Sequence, residues 1–423
     1  MKVDQPILSI IGFILILAAG PTPAERISIA CSALGVELQL CREGVDAWAR
    51  ETGHQVTIIS MPNSATERLA LYQQLLATGA PDIDVLQIDA IWPGILSKHL
   101  IDLRPYANGA EQQHFPVSVQ NNTVNGRLVA MPWYIDAGLL YYRQDLLEKY
   151  GEPVPDTWEA LTATAKKIQE AERAAGNSRL WGFVWQARAY EGLTCNALEW
   201  IASHRGGTLI DEQGKITIHN PHAVTALTLA ASWLTTISPK GVLNYGEEES
   251  RGVFQSGNAV FMRNWPYAWA LAQNEGSPVK DKIGLAALPK GGADGRQAAT
   301  LGGWQLAVSK YSHHPELAAA LVMYLTSPAE QKRRALRGAY NPTLPSLYQD
   351  PDILQANPFI GTLYKTFVNA VTRPSAVAGP RYNQISFEFW SAVYAVLTGK
   401  TSAQDSLTRL EQTLQRISHG GHW

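Results

Sequence analysis

Three separated stretches of this chain set aromatic side chains beside a carboxylate, an arginine or a glycine pair: MPWYIDAGLLYYR (131–143), RNWPYAW (263–269) and LGGW (301–304). Aromatic faces stack on the apolar C–H faces of sugar rings, while carboxylates and guanidinium groups hydrogen-bond the hydroxyls. Asp136, between Tyr134 and Gly138, has the right type for that work. It suits a glycoside hydrolase equally well, provided a second carboxyl faces it across the bond to be cut. It also suits a turn, accepting from nearby backbone N–H groups. Stretches this far apart meet on one ligand only if the fold gathers distant loops around a cleft.

Other chemistries lack their residues. The chain has no G-x-x-x-x-G-K-[ST] phosphate loop, no G-x-G-x-x-G turn, no H-E-x-x-H pair and no G-x-S-x-G elbow. No Cys/His cluster has zinc spacing, and His419 and His422 read as a chain-end tail. Neither a cofactor nor a metal is expected. A net charge of −2 gives no basis for a nucleic-acid partner. KRRALR (332–337), the most basic run, reads as the solvated face of a helix.

The length of 423 residues points to two domains, and 46% hydrophobic with 17% charged residues to an ordinary globular interior. Residues 1–24 stand apart. Lys2 precedes the uncharged run PILSIIGFILILAAG (6–20), too short for a comfortable membrane span and similar to a secretory signal. Cleavage after Ala24 fits, and the alternative is an uncleaved anchor. Either way the protein is exported. No cysteine follows the run, which argues against a lipid anchor. Cys31 and Cys41 lie ten residues apart, close enough to pair in an oxidising compartment, although spacing does not establish the geometry. Cys195 is left as a buried thiol.

The elements that must position the candidate residues alternate at first. Strands are expected at 26–31, 55–61 and 83–88, with helices at 37–52, 65–77 and from 91 to 98, the pattern of a parallel α/β sheet. Ligands of such sheets sit beyond the carboxyl ends of the strands, which is where Glu37 and Asp89 fall. Helices follow at 157–175, capped by Asp156 and Thr157, and at 196–204 and 221–237. Strands return at 282–287 and 304–308, before helices at 315–326, 328–337 and 403–417. Turn-rich breaks at 289–295 (PKGGADG) and 340–345 (YNPTLP) suggest lobes joined by several crossovers.

YIDAGLLYYR (134–143), GFVWQARAYEG (182–192), RNWPYAW and ATLGGW (299–304) resemble, in order, the trehalose/maltose-binding proteins of ABC sugar importers. These are extracellular solute-binding proteins of the maltose-binding type, and the likeness runs from about residue 26 to the C-terminus. It implies an α/β, two-lobed periplasmic-binding-protein fold with a multi-strand hinge and an interlobe cleft. The lobes would comprise 25–134 with 291–342, and 135–290 with 343–423. The resemblance makes Glu37, Asp89, Tyr134 and Asp136 ligands, with Trp265 and Tyr267 as an aromatic wall. Gly303 and Trp304 supply a return-strand contact, Arg373 a guanidinium, and Arg68 a further contact. Gln186 and Glu191 take structural roles, and Trp133 and Trp269 pack beneath the site.

Two departures touch the site. SAVAGPRYNQIS (375–386) replaces the family's usual run after Arg373-Pro374, making Arg381 an alternative guanidinium. SALGVELQLC (32–41) lacks the small polar residues common before the acid. The resemblance implies a monomeric, non-enzymatic receptor for a disaccharide (trehalose, maltose or a related α-glucoside) that delivers it to a membrane permease. A glycoside hydrolase and a sugar sensor feeding a receptor are the alternatives.

Overall fold

The computed structural model describes residue 1 and residues 24–368, 370–419 and 423. The apolar run 6–20, nearly all of the proposed signal and His422 lie outside the described residues.

As the alternation requires, β1 (Arg26–Ser32), β2 (Gln55–Met61) and β3 (Val85–Asp89) are separated by helices Glu37–Thr52 and Ala65–Ala77. β1 pairs in parallel with both β2 and β3. A short hairpin, β4 (Thr123–Val124) and β5 (Arg127–Leu128), precedes β6 (Met131–Ala137) and β7 (Leu139–Arg143). The remaining strands are β8 (Trp181–Val184), β9 (Ala259–Asn264), β10 (Ile283–Ala287) and β11 (Leu301–Val308). They form two main sheets, ordered β2-β1-β3-β11-β6 and β10-β7-β9-β8.

Successive strands β6 and β7 belong to different sheets, with only Gly138 between them. A Cβ at Gly138 would lie 2.2 Å from Glu199 Oε1 and 2.6 Å from Arg263 Nη2, so the crossing admits no side chain. The chain returns to the first sheet through β11, which runs antiparallel to β3 and β6. That register sets Trp304 opposite both Asp89 and Tyr134, and Gly302 opposite Asp136. Gly303, at φ 123°, has no room for a Cβ, which would stand 2.5 Å from the Tyr134 carbonyl oxygen.

Helix boundaries follow local chemistry. The Thr157 side chain accepts from the Ala160 N–H at 3.0 Å and starts the Trp158–Ala174 helix. The helix expected at 196–204 begins earlier and runs Glu191–Ser203, buried on every side. The strand expected at 304–308 likewise begins at Leu301. Helix Tyr382–Leu397 is an element the sequence expectations omitted, although its buried residues Tyr382, Ile385, Ser386, Phe389, Val393, Val396 and Leu397 recur at helical spacing. It packs against helices Glu191–Ser203, Pro221–Ser232 and Ala403–Ile417.

Four tryptophans, Trp158, Trp185, Trp200 and Trp233, pack together in the core. Trp200 stands edge-on to Trp185 and Trp233 at 4.9 and 5.6 Å, and Trp158 lies 5.5 Å from Trp233. Cys31 and Cys41 are joined by a disulfide, with Cα atoms 6.6 Å apart. Cys195 is free and buried; burial pushes its thiol up to about 12, away from the reactive thiolate.

Candidate functional site

A cavity opens where the carboxyl end of β3 and the start of β11 meet the end of β9. One wall comes from the first sheet: Asp89, Tyr134, Asp136, Gly303 and Trp304. The ladder register dictates this grouping, since it aligns those residues across β3, β11 and β6. Trp265 and Tyr267, in the turn after β9, form the opposing wall. The two walls approach closely. A Cβ on Gly302 would lie 3.1 Å from the Trp265 ring, and one on Gly35 would lie 2.7 Å from the Tyr267 ring.

Arg373 ties the walls together. It donates from Nη2 to Asp89 Oδ1 and from Nη1 to Glu191 Oε1, both at 2.9 Å. Glu191 also accepts from the Tyr382 hydroxyl at 2.6 Å. Burial pushes the Glu191 carboxyl up from the usual range while the Arg373 charge opposes it. The Nε of Arg373 is buried and has no partner among the described residues. Two carboxylates sharing one buried guanidinium are poorly placed to act as a catalytic acid and nucleophile.

Each cavity indole carries a guanidinium. Arg263 lies 4.0 Å from the Trp265 ring centroid and Arg68 lies 4.2 Å from that of Trp304. Arg263 is itself fixed by Glu199, with an Nε to Oε2 bond of 2.9 Å. Asp136, 8% exposed, has its carboxyl raised to about 7, first by burial and then by the negative charge of Glu37. Asn341, Arg263 and Arg334 oppose that rise.

A pH dependence follows. Between pH ~4 and ~7 the folded protein holds a proton on Asp136 that the unfolded chain has released, so this group's contribution to stability falls as pH rises. Holding that proton against the ordinary acidity of an aspartate is worth at most about 4 kcal/mol. Ligand-free Asp136→Asn protein should therefore gain stability relative to the parent between pH 5 and pH 8, read by urea denaturation at both values. Equal differences at the two pH values would contradict the assignment.

Two expected ligands stand behind the wall. Glu37 is fully buried and accepts from the Tyr134 hydroxyl at 2.6 Å and from Gln87 Nε2 at 2.7 Å, so it positions Tyr134. Arg68, also fully buried, donates to the Pro62 carbonyl at 2.8 and 3.2 Å while it backs Trp304. Neither lines the cavity. The others predicted (Asp89, Tyr134, Asp136, Trp265, Tyr267, Gly303, Trp304 and Arg373) all do.

Four further expectations are corrected or refined. KRRALR is a solvated face only in part: Arg337 is exposed and Lys332 half-buried, but one of its arginines turns inward. Arg334 is 2% exposed, lies 3.9 Å from the Trp133 ring and 4.7 Å from the Tyr340 ring, and approaches Glu37 at 3.5 Å. Glu191, assigned a structural role, reaches the cavity wall. Arg381 points elsewhere, donating to the Ile417 carbonyl at 2.8 Å. Trp133 packs beneath Arg334 as expected, whereas Trp269 meets Phe359 at 5.3 Å. Gln186 is buried and donates to the Arg263 carbonyl at 2.9 Å, a structural role.

Sequence reading missed Tyr190, Glu247 and Tyr340, which also line the cavity. Tyr190 lay within GFVWQARAYEG and Tyr340 began YNPTLP, so both were in view. Glu247 sits in a plain acidic run with no aromatic neighbour in sequence. No group of three or more His, Cys, Asp or Glu side chains able to hold a metal occurs among the described residues. None of their helices is long and apolar enough to cross a membrane.

A two-sheet architecture with a polar, aromatic-walled cavity at the crossing defines a two-lobed binding protein of the maltose-binding type. The family model for bacterial extracellular solute-binding proteins matches residues 40–332, and the chain belongs to that family. Its members are exported, non-enzymatic substrate receptors of ABC transporters, and this chain is one of them. It is 52% identical over 406 residues to a probable ABC transporter-binding protein of Deinococcus radiodurans, covering 96% of each chain. Among solved structures it is similar to maltose-bound MalE3 of T. maritima, with 41% identity and a TM-score of 0.89 over 93% of this chain and 100% of that one. A ribitol-bound solute-binding protein of Agrobacterium radiobacter shares the fold, with 23% identity and a TM-score of 0.83 over 94% of this chain and all of that one.

Proposed function

We propose that this protein captures a disaccharide (trehalose, maltose or a related α-glucoside) and delivers it to the permease of an ABC sugar importer. The observation that carries this reading is the β11 register. It lines up Asp89, Trp304 and Tyr134 with Asp136 beside them, opposite the Trp265–Tyr267 wall. Carboxylates and stacking rings on two facing surfaces suit a ligand with hydroxyls around its rim and apolar C–H faces. The likeness to maltose-bound MalE3 supports an α-glucoside, whereas the ribitol-bound relative indicates that the shared fold alone does not select one.

In this reading Asp89, Asp136, Tyr134 and Arg373 take hydroxyls, Trp265, Tyr267 and Trp304 stack, and Gly303 admits the sugar to the backbone. Glu37 and Arg68 act through Tyr134 and Trp304. The lobes are 25–134 with 291–342 and 135–290 with 343–423. Sugar favours the closed state because only there do groups from both lobes contact it together. The protein works as a monomer in the periplasm, either released from residues 1–24 or tethered by them to the outer face of the inner membrane.

A thermal-shift panel of trehalose, maltose, sucrose and glucose tests the ligand. Binding to the folded state alone raises stability by about 2.7 kcal/mol at a hundredfold excess over Kd. An α-linked glucose disaccharide is expected to give the largest shift. Equal shifts from all four, or from none, would overturn the disaccharide assignment.

A further inference from the structure

Helix Glu247–Gln255 begins with three consecutive acids, Glu247, Glu248 and Glu249. Acids in a first turn complement the helix dipole and need no other explanation. Glu249 fits that account, because its Oε2 accepts from the Gly246 N–H at 2.8 Å. The other two reach further. The Tyr267 hydroxyl donates to Glu248 Oε1 at 2.7 Å, and Glu248 is also paired with Arg251 at 2.7 Å. Glu247 receives two aromatic donors: the Tyr190 hydroxyl at Oε2, 2.7 Å, and the Trp265 indole N–H at Oε1, 3.4 Å.

Glu247 is also tied to the wall through its backbone. Its carbonyl accepts from Asn264 Nδ2 at 3.1 Å, and Asn264 Oδ1 accepts from the Trp265 N–H at 2.8 Å. One helical turn thus holds the polar edges of three aromatic rings that line the cavity.

The three acids differ in where they stand. Glu247 lines the cavity and Glu248 does not. Among the described residues no Lys, Arg or His forms an ion pair with Glu247, whereas Asp89 and Glu191 both pair with Arg373. A carboxylate offers about four acceptor positions, and the two aromatic donors leave Glu247 with spare capacity on the ligand side.

We propose that Glu247 both positions Trp265 and Tyr190 and accepts a hydroxyl of the bound ligand, which makes it a specificity determinant of the second wall. The assignment rests on the sugar-binding reading above and names an acceptor that neither the motifs nor the resemblance supplied. A polyhydroxyl ligand delivers its O–H where two rings already converge on one carboxylate. Stacking and hydroxyl recognition are then coupled through one side chain.

The test uses the full-length protein with Glu247→Ala and Glu247→Gln. Affinities for maltose, trehalose and the monodeoxy analogues of whichever binds are measured by calorimetry, and near-UV circular dichroism reports the tryptophan environment. Glu247→Ala is expected to lower affinity about 30-fold or more, as for a lost charge-assisted hydrogen bond plus a loosened stacking ring. Its near-UV spectrum should change in the indole region while its melting transition stays cooperative. Glu247→Gln keeps one carbonyl acceptor and should fall between the two. One monodeoxy sugar should lose affinity for the parent and show no such penalty against Glu247→Ala. A folded Glu247→Ala protein with parental affinity overturns the proposal. A drop in affinity with every deoxy penalty unchanged overturns the acceptor assignment. A parent protein that binds none of the sugars contradicts the sugar reading itself, which is a separate outcome.

Discussion

Arg373→Met is expected to abolish sugar binding and to destabilise the protein by about 3–5 kcal/mol at neutral pH, the usual cost of removing one partner from a buried ion pair. The substitution leaves Asp89 and Glu191 without the guanidinium that each contacts at 2.9 Å. Methionine fills much of the stem volume, so the loss is electrostatic rather than a cavity effect. That predicts a pH signature. Burial already pushes the Glu191 carboxyl up and Arg373 is what opposes it, so without the guanidinium Glu191 takes up a proton more readily and the destabilisation should shrink between pH 8 and pH 5. Urea denaturation at both values checks it. A deficit unchanged with pH would mean that Arg373 contributes packing and not charge pairing.

Asp136→Ala is expected to remove the thermal shift produced by the preferred sugar while leaving the empty protein folded. Asp136 lies directly across the ladder from Gly302, and its carboxyl is held near neutrality by burial and by Glu37. Alanine ends that costly burial, so the empty protein should lose little stability at pH 7 or gain some. Sugar hydroxyls that hydrogen-bond the ionised form would draw its carboxyl down again, so the parent should release a proton on binding below pH 7. Calorimetry in buffers of different ionisation enthalpy reads that proton. A full thermal shift in Asp136→Ala would show that the carboxyl is not a ligand group.

How much of this was legible depended on whether function lay within a contiguous motif. The early strands, their intervening helices and the acid at the end of β3 followed from periodicity and the α/β rule. The cavity walls followed from YIDAG, RNWPYAW and LGGW, because each motif carries its ligand groups within a few residues. Depth was harder. Glu37 follows a strand end, as a ligand acid should, yet it is fully buried one layer behind Tyr134. Strand-end position locates a residue near the cleft without saying which layer it occupies.

Arg334 failed for a related reason. In KRRALR the charge count suggests water, but helical spacing turns this one guanidinium inward over Tyr340 and over Trp133, which is distant in sequence. Glu247 was hidden because its aromatic partners are 18 and 57 residues away. Helix Tyr382–Leu397 carries a helical period, but the hold of its Tyr382 and Ser386 on Glu191 was hidden because those partners are 191 and 195 residues apart. Local pattern reports what a segment can contact, whereas these assignments depend on which distant segment it meets.

The most direct test of a sugar-capturing role without chemistry is titration calorimetry of the purified protein with maltose and trehalose, followed by recovery of the sugar from the complex. One site per chain, enthalpic saturation by at least one of the two and intact disaccharide on recovery are predicted. Absence of binding to either, or the appearance of free glucose, would contradict it.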